Sequence, residues 1–138
     1  MKYLKRFNES NNSINIEYYE HGKCELFAFA LHIVLGYDMY FFIDNEAEFE
    51  TDGDFDYGSA LVHAYCKNKN GNYFDASGLI TLNDIEEDHA EYVNGPEHIL
   101  VSDEMFYDYI KDGFISDFIE SELENIEKYI KDNILNYG

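Results

Sequence analysis

Residues 22–36 read GKCELFAFALHIVLG, and this stretch carries the strongest structural signal in the chain. Its apolar side chains recur at the spacing of an α-helix, and Gly36 supplies a C-terminal stop. We therefore predict a helix over residues 24–35 that begins at Cys24. Almost every position in it is apolar, which indicates a helix that is buried on most sides.

Short strands are predicted to follow this helix. Three segments have strand character: residues 38–44 (DMYFFID), 60–66 (ALVHAYC) and 72–76 (NYFDA). Asn70-Gly71 lies between the last two and is a strong hairpin signal, so these two strands are expected to be adjacent and antiparallel. Residues 45–58 are strongly acidic with little periodicity, and we predict that they form a connection.

Helices dominate the prediction for the rest of the chain. A short helical turn is expected at residues 81–84, a strand at 97–101, and a helix that begins at Ser102 or Asp103. An amphipathic helix of about five turns, begun by Ser116 or Asp117, follows. Its apolar stripe consists of Ile115, Phe118, Ile119, Leu123, Ile126, Ile130 and Ile134.

This order of elements predicts an α+β fold, in which the cysteine-bearing helix packs on a small antiparallel sheet and helices complete the C-terminal part. The 138 residues suffice for a single domain, with a core over residues 20–80 and a helical part over 102–136. No segment has the features of a signal peptide or a membrane-spanning helix, and we expect a cytoplasmic protein with free thiols.

The net charge of the chain limits the classes of molecule that it is expected to bind. The formal net charge is -20, from 29 acidic and 9 basic residues. Because no basic stripe is present to neutralise phosphates, direct binding of nucleic acid is disfavoured, and anionic membranes would repel the protein. Cationic surfaces, cations or proteins that normally bind DNA are the partners that this charge favours. The sequence gives no indication of the oligomeric state.

Three residues form a candidate catalytic set. Cys24 lies at a helix N-terminus, where backbone N–H groups and the helix dipole favour the thiolate. His63 lies in an apolar strand and needs a hydrogen-bond acceptor, which Asp75 on the next strand can supply. Because the hairpin turn is predicted to be centred near Asn70, we expect His63 and Asp75 to lie nearly opposite one another, with Leu61, His63 and Tyr65 on one face of the strand.

The segments GKCELFAFALHIVLG and LVHAYCKNKNGNYFDASG resemble the core of the transglutaminase-like and related papain-fold cysteine hydrolases. The resemblance covers roughly residues 20–80. It implies that Cys24 is the nucleophile, that His63 is the general base and acid, and that Asp75 orients the imidazole. Tyr65 and Ala76 stand where this family commonly has tryptophan and proline. No cofactor and no metal are implied.

An oxyanion hole would need two hydrogen-bond donors near the thiol. The backbone N–H of Cys24 is one candidate, and Tyr18, Tyr19 or His21 could supply the second.

Two metal sites are weaker alternatives. His21 and Cys24, with His63 and Cys66, have the spacing of a zinc set, but a strand over 60–66 would turn His63 and Cys66 to opposite faces. The segment 52–58 (DGDFDYG) is similar to the start of a calcium loop, yet it lacks the glycine and the bidentate glutamate that complete the pattern. His32, His89 and His98 are interpreted as structural or surface residues.

The sequence leaves two functional hypotheses. The first is a cysteine-dependent hydrolase or acyltransferase that acts on an amide bond of a protein or peptide, as a protease, deamidase or transglutaminase would. If the acidic segment 45–58 borders the cleft, it would select a basic substrate. The second is a non-catalytic acidic interaction protein that imitates nucleic acid or inhibits a DNA-binding partner, as some small phage proteins do.

Overall fold

The structure is a computed structural model that describes residues 14–51 and 54–138, without the side chains of His21 and of residues 50–51 and 54–57. It has a mixed α+β fold. The helices are α1 (Ile16–His21), α2 (Cys24–Leu35), α3 (Leu82–His89), α4 (Asp103–Lys111) and α5 (Glu120–Asp132), followed by a 3-10 turn (Ile134–Tyr137). The strands are β1 (Asp38–Thr51), β2 (Asp54–Lys67), β3 (Tyr73–Asp75), β4 (Gly78–Ile80) and β5 (Pro96–Val101).

Helix α2 forms the centre of the main core, as its composition predicted. Its bounds match the predicted helix, and Gly36 ends it with a left-handed φ of 73°. Every residue from Cys24 to Leu31 is buried. The helix packs between one face of the sheet and the apolar stripe of α5, in a cluster that includes Met39, Phe41, Ala64, Cys66, Leu123, Ile126 and Ile130.

The five strands form one antiparallel sheet in the order β4-β3-β2-β1-β5. Its largest part is the β1–β2 hairpin, whose pairing continues from Asp38↔Lys67 to Thr51↔Asp54. The prediction that residues 45–58 form a connection is therefore wrong. Main-chain hydrogen bonds between two strands need no apolar side chains, so an acidic segment without hydrophobic periodicity still extends the hairpin.

Strand β2 contains an irregularity directly before His63. Phe42 pairs with His63 and Ile43 pairs with Leu61, which leaves Val62 as an extra residue. A bulge of this kind breaks the strict alternation of a strand. Leu61 consequently packs on the main core, whereas Val62 packs with Tyr65 in a second cluster on the other face. The predicted common face of Leu61, His63 and Tyr65 is thus wrong at Leu61.

The β2–β3 hairpin forms at the predicted place with a different register. Lys67 pairs with Tyr73 and Cys66 with Phe74, so the next position along would set Asp75 opposite Tyr65. His63 and Asp75 are therefore diagonal neighbours on one face instead of a directly opposed pair. The diagonal distance is still within reach of long side chains.

Of the two C-terminal helices, α4 starts where the sequence predicts and α5 starts later. Helix α4 begins after Ser102, whose side chain accepts a hydrogen bond from the Met105 N–H at 3.1 Å. Helix α5 begins at Glu120, later than the predicted start at Ser116 or Asp117. The Asp117 carbonyl accepts a hydrogen bond from Lys23 Nζ, and its carboxylate accepts from the Phe118 N–H. Both bonds are made by the segment that precedes the helix.

The packing of α5 on α2 gives a first prediction. Ile126 is 0 % exposed and Leu135 is 93 % exposed. Ile126→Ala is expected to lower the free energy of unfolding by about 2–5 kcal/mol because it removes buried methyl groups and leaves a cavity. The matched change Leu135→Ala should alter it by less than about 0.5 kcal/mol. Urea denaturation measures both, and similar values for the two variants would contradict the packing described.

Candidate active site

Cys24 is the first residue of α2, and its thiol is almost fully enclosed. The side chain is 8 % exposed, and Sγ lies 3.9 Å from Oε1 of Glu25. Lys23 occupies the N-cap position and makes no side-chain hydrogen bond to the helix. The helix start therefore keeps its electropositive character next to the sulfur, which favours negative charge there.

His63 and Asp75 form a buried hydrogen-bonded pair. Nε2 of His63 lies 2.8 Å from Oδ2 of Asp75. The other carboxylate oxygen of Asp75 accepts hydrogen bonds from the backbone N–H of Ser77, at 2.9 Å, and from the Ser77 hydroxyl. Asp75 is thus fixed from both sides at the end of β3, and the imidazole is fixed by Asp75. Serine two residues after an aspartate is a turn signal that was present in the sequence and not used in its interpretation.

The carboxylate and the thiol both act on the charge of the imidazole. Burial by itself lowers the pKa of His63, but hydrogen bonds and charge interactions with Asp75 and Cys24 outweigh it and raise the pKa to about 9. Burial likewise acts to raise the pKa of Asp75, and the hydrogen bonds from His63 and Ser77 hold it below its ordinary value. The protonated imidazole is therefore the stable form at neutral pH.

The three predicted residues are consequently brought together. Nε2 of His63 is engaged by Asp75, and the Cys24 thiol lies near enough to the same side chain to raise its pKa. The order is thiol, imidazole and carboxylate, with His63 in the middle. In this arrangement the ring is held as an imidazolium beside the thiol and can release its proton to a leaving group.

An acidic cleft opens beside the imidazole. Its volume is about 700 Å³, and its walls include His63, Asp75 and Ser77 together with residues of α3. Four carboxylates line it, from Glu20, Asp75, Asp84 and Asp88. His89 also lines it, with its ring centroid 6.2 Å from that of His63. The sequence around His89 gives no sign that it lies near His63, and the prediction from the sequence is therefore a structural or surface residue.

The second cysteine has a different role. Cys66 is 0 % exposed, and its thiol donates a hydrogen bond to the carbonyl of Ala28, at 3.1 Å, inside the main core. Burial raises the pKa of this thiol well above its usual range. Both cysteines are free, as expected. Cys66 is therefore a buried structural thiol, and it serves as an internal reference for the reactivity of Cys24.

The alternative metal sites have little structural basis. His63 bonds to Asp75 while Cys66 bonds to the core backbone, so these two zinc candidates do not converge, and the side chain of His21 lies outside the described residues. The calcium-loop candidate falls on residues 52–58, and its aspartate side chains lie outside the described part of the chain. Within residues 14–51 and 54–138, no group of three or more potential ligands is arranged around a common point.

Three other residues that the sequence singles out, His32, His98 and Tyr19, make hydrogen bonds away from the thiol. His32 contacts the Tyr37 carbonyl and Asp103, and His98 contacts the Tyr65 hydroxyl and Glu86. The Tyr19 hydroxyl, one of the oxyanion-hole candidates, donates instead to Glu122 at 2.9 Å. In the part of the chain that the structure covers, no helix is long and apolar enough to cross a bilayer.

Comparison of the chain with protein-family models, with curated proteins and with solved structures found no match. The site must therefore be interpreted from its own geometry.

The charge state of His63 gives a second prediction. In a histidine NMR titration, the ring of His63 should remain protonated at neutral pH and titrate at about 9. Asp75→Asn removes the carboxylate charge and should move the pKa of His63 downward, because the charged ring loses its stabilising partner. A His63 ring that titrates near the ordinary value of about 6.5, unchanged by Asp75→Asn, would contradict the pair described here.

Proposed function

We propose that the protein is a cysteine-dependent hydrolase or acyltransferase that acts on an amide bond of a protein or peptide. The observation that carries the proposal is the hydrogen-bonded pair of His63 and Asp75, with the Cys24 thiol interacting with the same imidazole at a helix N-terminus. Structural cysteines, such as Cys66, do not require a charged partner of this kind.

The geometry accounts for each step of amide cleavage. The Cys24 thiolate attacks the carbonyl carbon, a carbon–sulfur bond forms, and the carbonyl oxygen becomes an oxyanion. The imidazolium of His63 then gives its proton to the amide nitrogen, the carbon–nitrogen bond breaks, and an amine leaves. Water or a second amine, deprotonated by His63, attacks the thioester and restores the thiol. Asp75 holds the ring in one orientation throughout and stabilises its charged form.

The architecture is in keeping with the proposed papain-like and transglutaminase-like core. A helix that starts at the cysteine packs on an antiparallel sheet, the histidine lies on a long strand, and the carboxylate ends the adjacent strand. We expect the backbone N–H of Cys24, at the start of α2, to donate a hydrogen bond to the oxyanion. The acidic cleft beside His63 favours substrates with positive charge.

Selective alkylation of Cys24 tests the proposal without knowledge of the substrate. Iodoacetamide at neutral pH should modify Cys24 much faster than Cys66, as read by peptide mass spectrometry. His63→Gln keeps most of the ring's volume and removes the imidazolium charge that stabilises a thiolate, so it should slow modification of Cys24 by on the order of 100-fold. Circular dichroism and urea denaturation control for folding.

Two results would overturn the proposal. The first is equal modification of Cys24 and Cys66 in the native protein. The second is an unchanged rate at Cys24 in a folded His63→Gln variant. Either result would leave the acidic interaction protein, which the net charge of -20 favours, as the better hypothesis.

A further inference from the structure

A second cavity adjoins Cys24 and shares no lining residue with the acidic cleft. Its volume is about 460 Å³. Gly22 and Glu25, which flank Cys24 in the chain, form one wall. The other walls come from Phe49 of β1, from residues 59–61 of β2 and from the segment 113–116. Glu25 links this cavity to the thiol, because it lines the cavity and its Oε1 lies 3.9 Å from the sulfur of Cys24.

Glu25 is an unusual residue for this position. It is 5 % exposed, yet it lines the cavity, and its Oε1 lies 3.9 Å from the sulfur of Cys24. Burial raises the pKa of its carboxyl, although its own backbone N–H, the nearby Lys23 charge and the Cys24 thiol act to lower it. A buried carboxyl is costly to ionise unless a cation compensates the charge.

The chain does not supply that cation among the residues that the structure describes. Lys23 is the nearest in sequence, but its Nζ lies 3.0 Å from Glu122 Oε1 and also bonds to the Asp117 carbonyl. No other lysine, arginine or histidine whose side chain the structure describes, a set that leaves out His21, forms an ion pair with Glu25. A cation that entered the cavity would therefore find a carboxyl with no competing ion pair.

Part of the remaining wall matches the rest of a basic side chain, and Ser59 and Ser116 add polar groups to it. Apolar groups of Phe49, Ala60, Leu61, Phe114 and Ile115 line the cavity. Such walls suit the methylene stem of lysine or arginine, whose charged end needs a polar partner at the far end. A purely apolar side chain would fill the same volume but would leave the Glu25 carboxyl buried without compensation.

We propose that this cavity is the subsite for the substrate's side chain, and that Glu25 selects a lysine or arginine residue next to the amide bond that Cys24 attacks. The inference rests on the proposed function and names the substrate class for it: a basic peptide. Glu25 acts as a specificity-determining residue, because it contacts both the cavity and the nucleophile. The net charge of the chain further attracts such a substrate.

Two thiol reagents that differ only in charge test the role of Glu25. Aminoethyl methanethiosulfonate is cationic and sulfonatoethyl methanethiosulfonate is anionic, and both form a disulfide with a thiol and release methanesulfinate. We expect the cationic reagent to modify Cys24 faster in the wild type. Glu25→Gln should lower the ratio of the cationic rate to the anionic rate by about tenfold. The reason is that a carboxylate in a desolvated site attracts the cationic reagent and repels the anionic one.

The matched control removes the same charge from an exposed position. Glu17 lies on α1 and is exposed, so Glu17→Gln should change the ratio by less than about twofold, as expected for a screened surface charge. Equal ratios in the wild type and in Glu25→Gln would overturn the inference. So would an equal fall in both variants, because the discrimination would then come from the overall charge.

A second measurement avoids mutation and applies even if Glu25→Gln fails to fold. Two peptidyl chloromethyl ketones that differ only in lysine or norleucine, which lacks the charge, are compared on the wild-type protein. The lysine reagent should alkylate Cys24 about tenfold faster. Equal rates would overturn the inference and leave the proposed function intact if iodoacetamide still shows dependence on His63. A Cys24 that is unreactive towards every reagent would overturn both.

Discussion

The hydrogen bond between His63 and Asp75 is the interaction on which the site depends. An imidazole that is only 7 % exposed would ordinarily remain neutral, and a buried carboxylate would ordinarily be protonated. Each partner reverses this tendency in the other, so the ring carries a proton and the carboxylate carries a charge. The two elements that position this pair are close to it in sequence. The β2–β3 hairpin sets the distance between the two side chains, and the turn at Ser77 fixes the carboxylate of Asp75. Without this pair, Cys24 would be a buried thiol like Cys66.

The bulge in β2 has a direct consequence for the site. The extra residue Val62 allows Leu61 to pack in the main core while Val62 and His63 both face the acidic cleft. A regular strand could not place three consecutive residues in this way, because its side chains alternate strictly. Irregularities of this kind occur next to active sites, where they re-aim a side chain.

Much of the fold and of the candidate site could be predicted from the sequence. Helix α2 could be predicted to the residue, since its apolar spacing and Gly36 mark both ends. The grouping of Cys24, His63 and Asp75 followed from helix position and hairpin pairing. The exposed part of the β1–β2 hairpin could not be found from hydrophobic periodicity, although Asp52-Gly53, a dipeptide typical of hairpin turns, lies between the paired ends. The late start of α5 has no signal in the local sequence, and the Asp117 carbonyl before it accepts a hydrogen bond from Lys23, which is far away in sequence. Glu25 was missed because a glutamate in the first turn of a helix is ordinarily solvated.

A double-mutant cycle on the reactivity of Cys24 tests most directly whether the three side chains act as one unit. The alkylation rate of Cys24 is measured in the wild type, in Asp75→Ala, in His63→Gln and in the double variant. If Asp75 acts only through the imidazole, Asp75→Ala slows the reaction when His63 is present and has no further effect when it is absent. Independent effects that simply add would show that the carboxylate does not work through the histidine, and the proposed catalytic arrangement would be wrong.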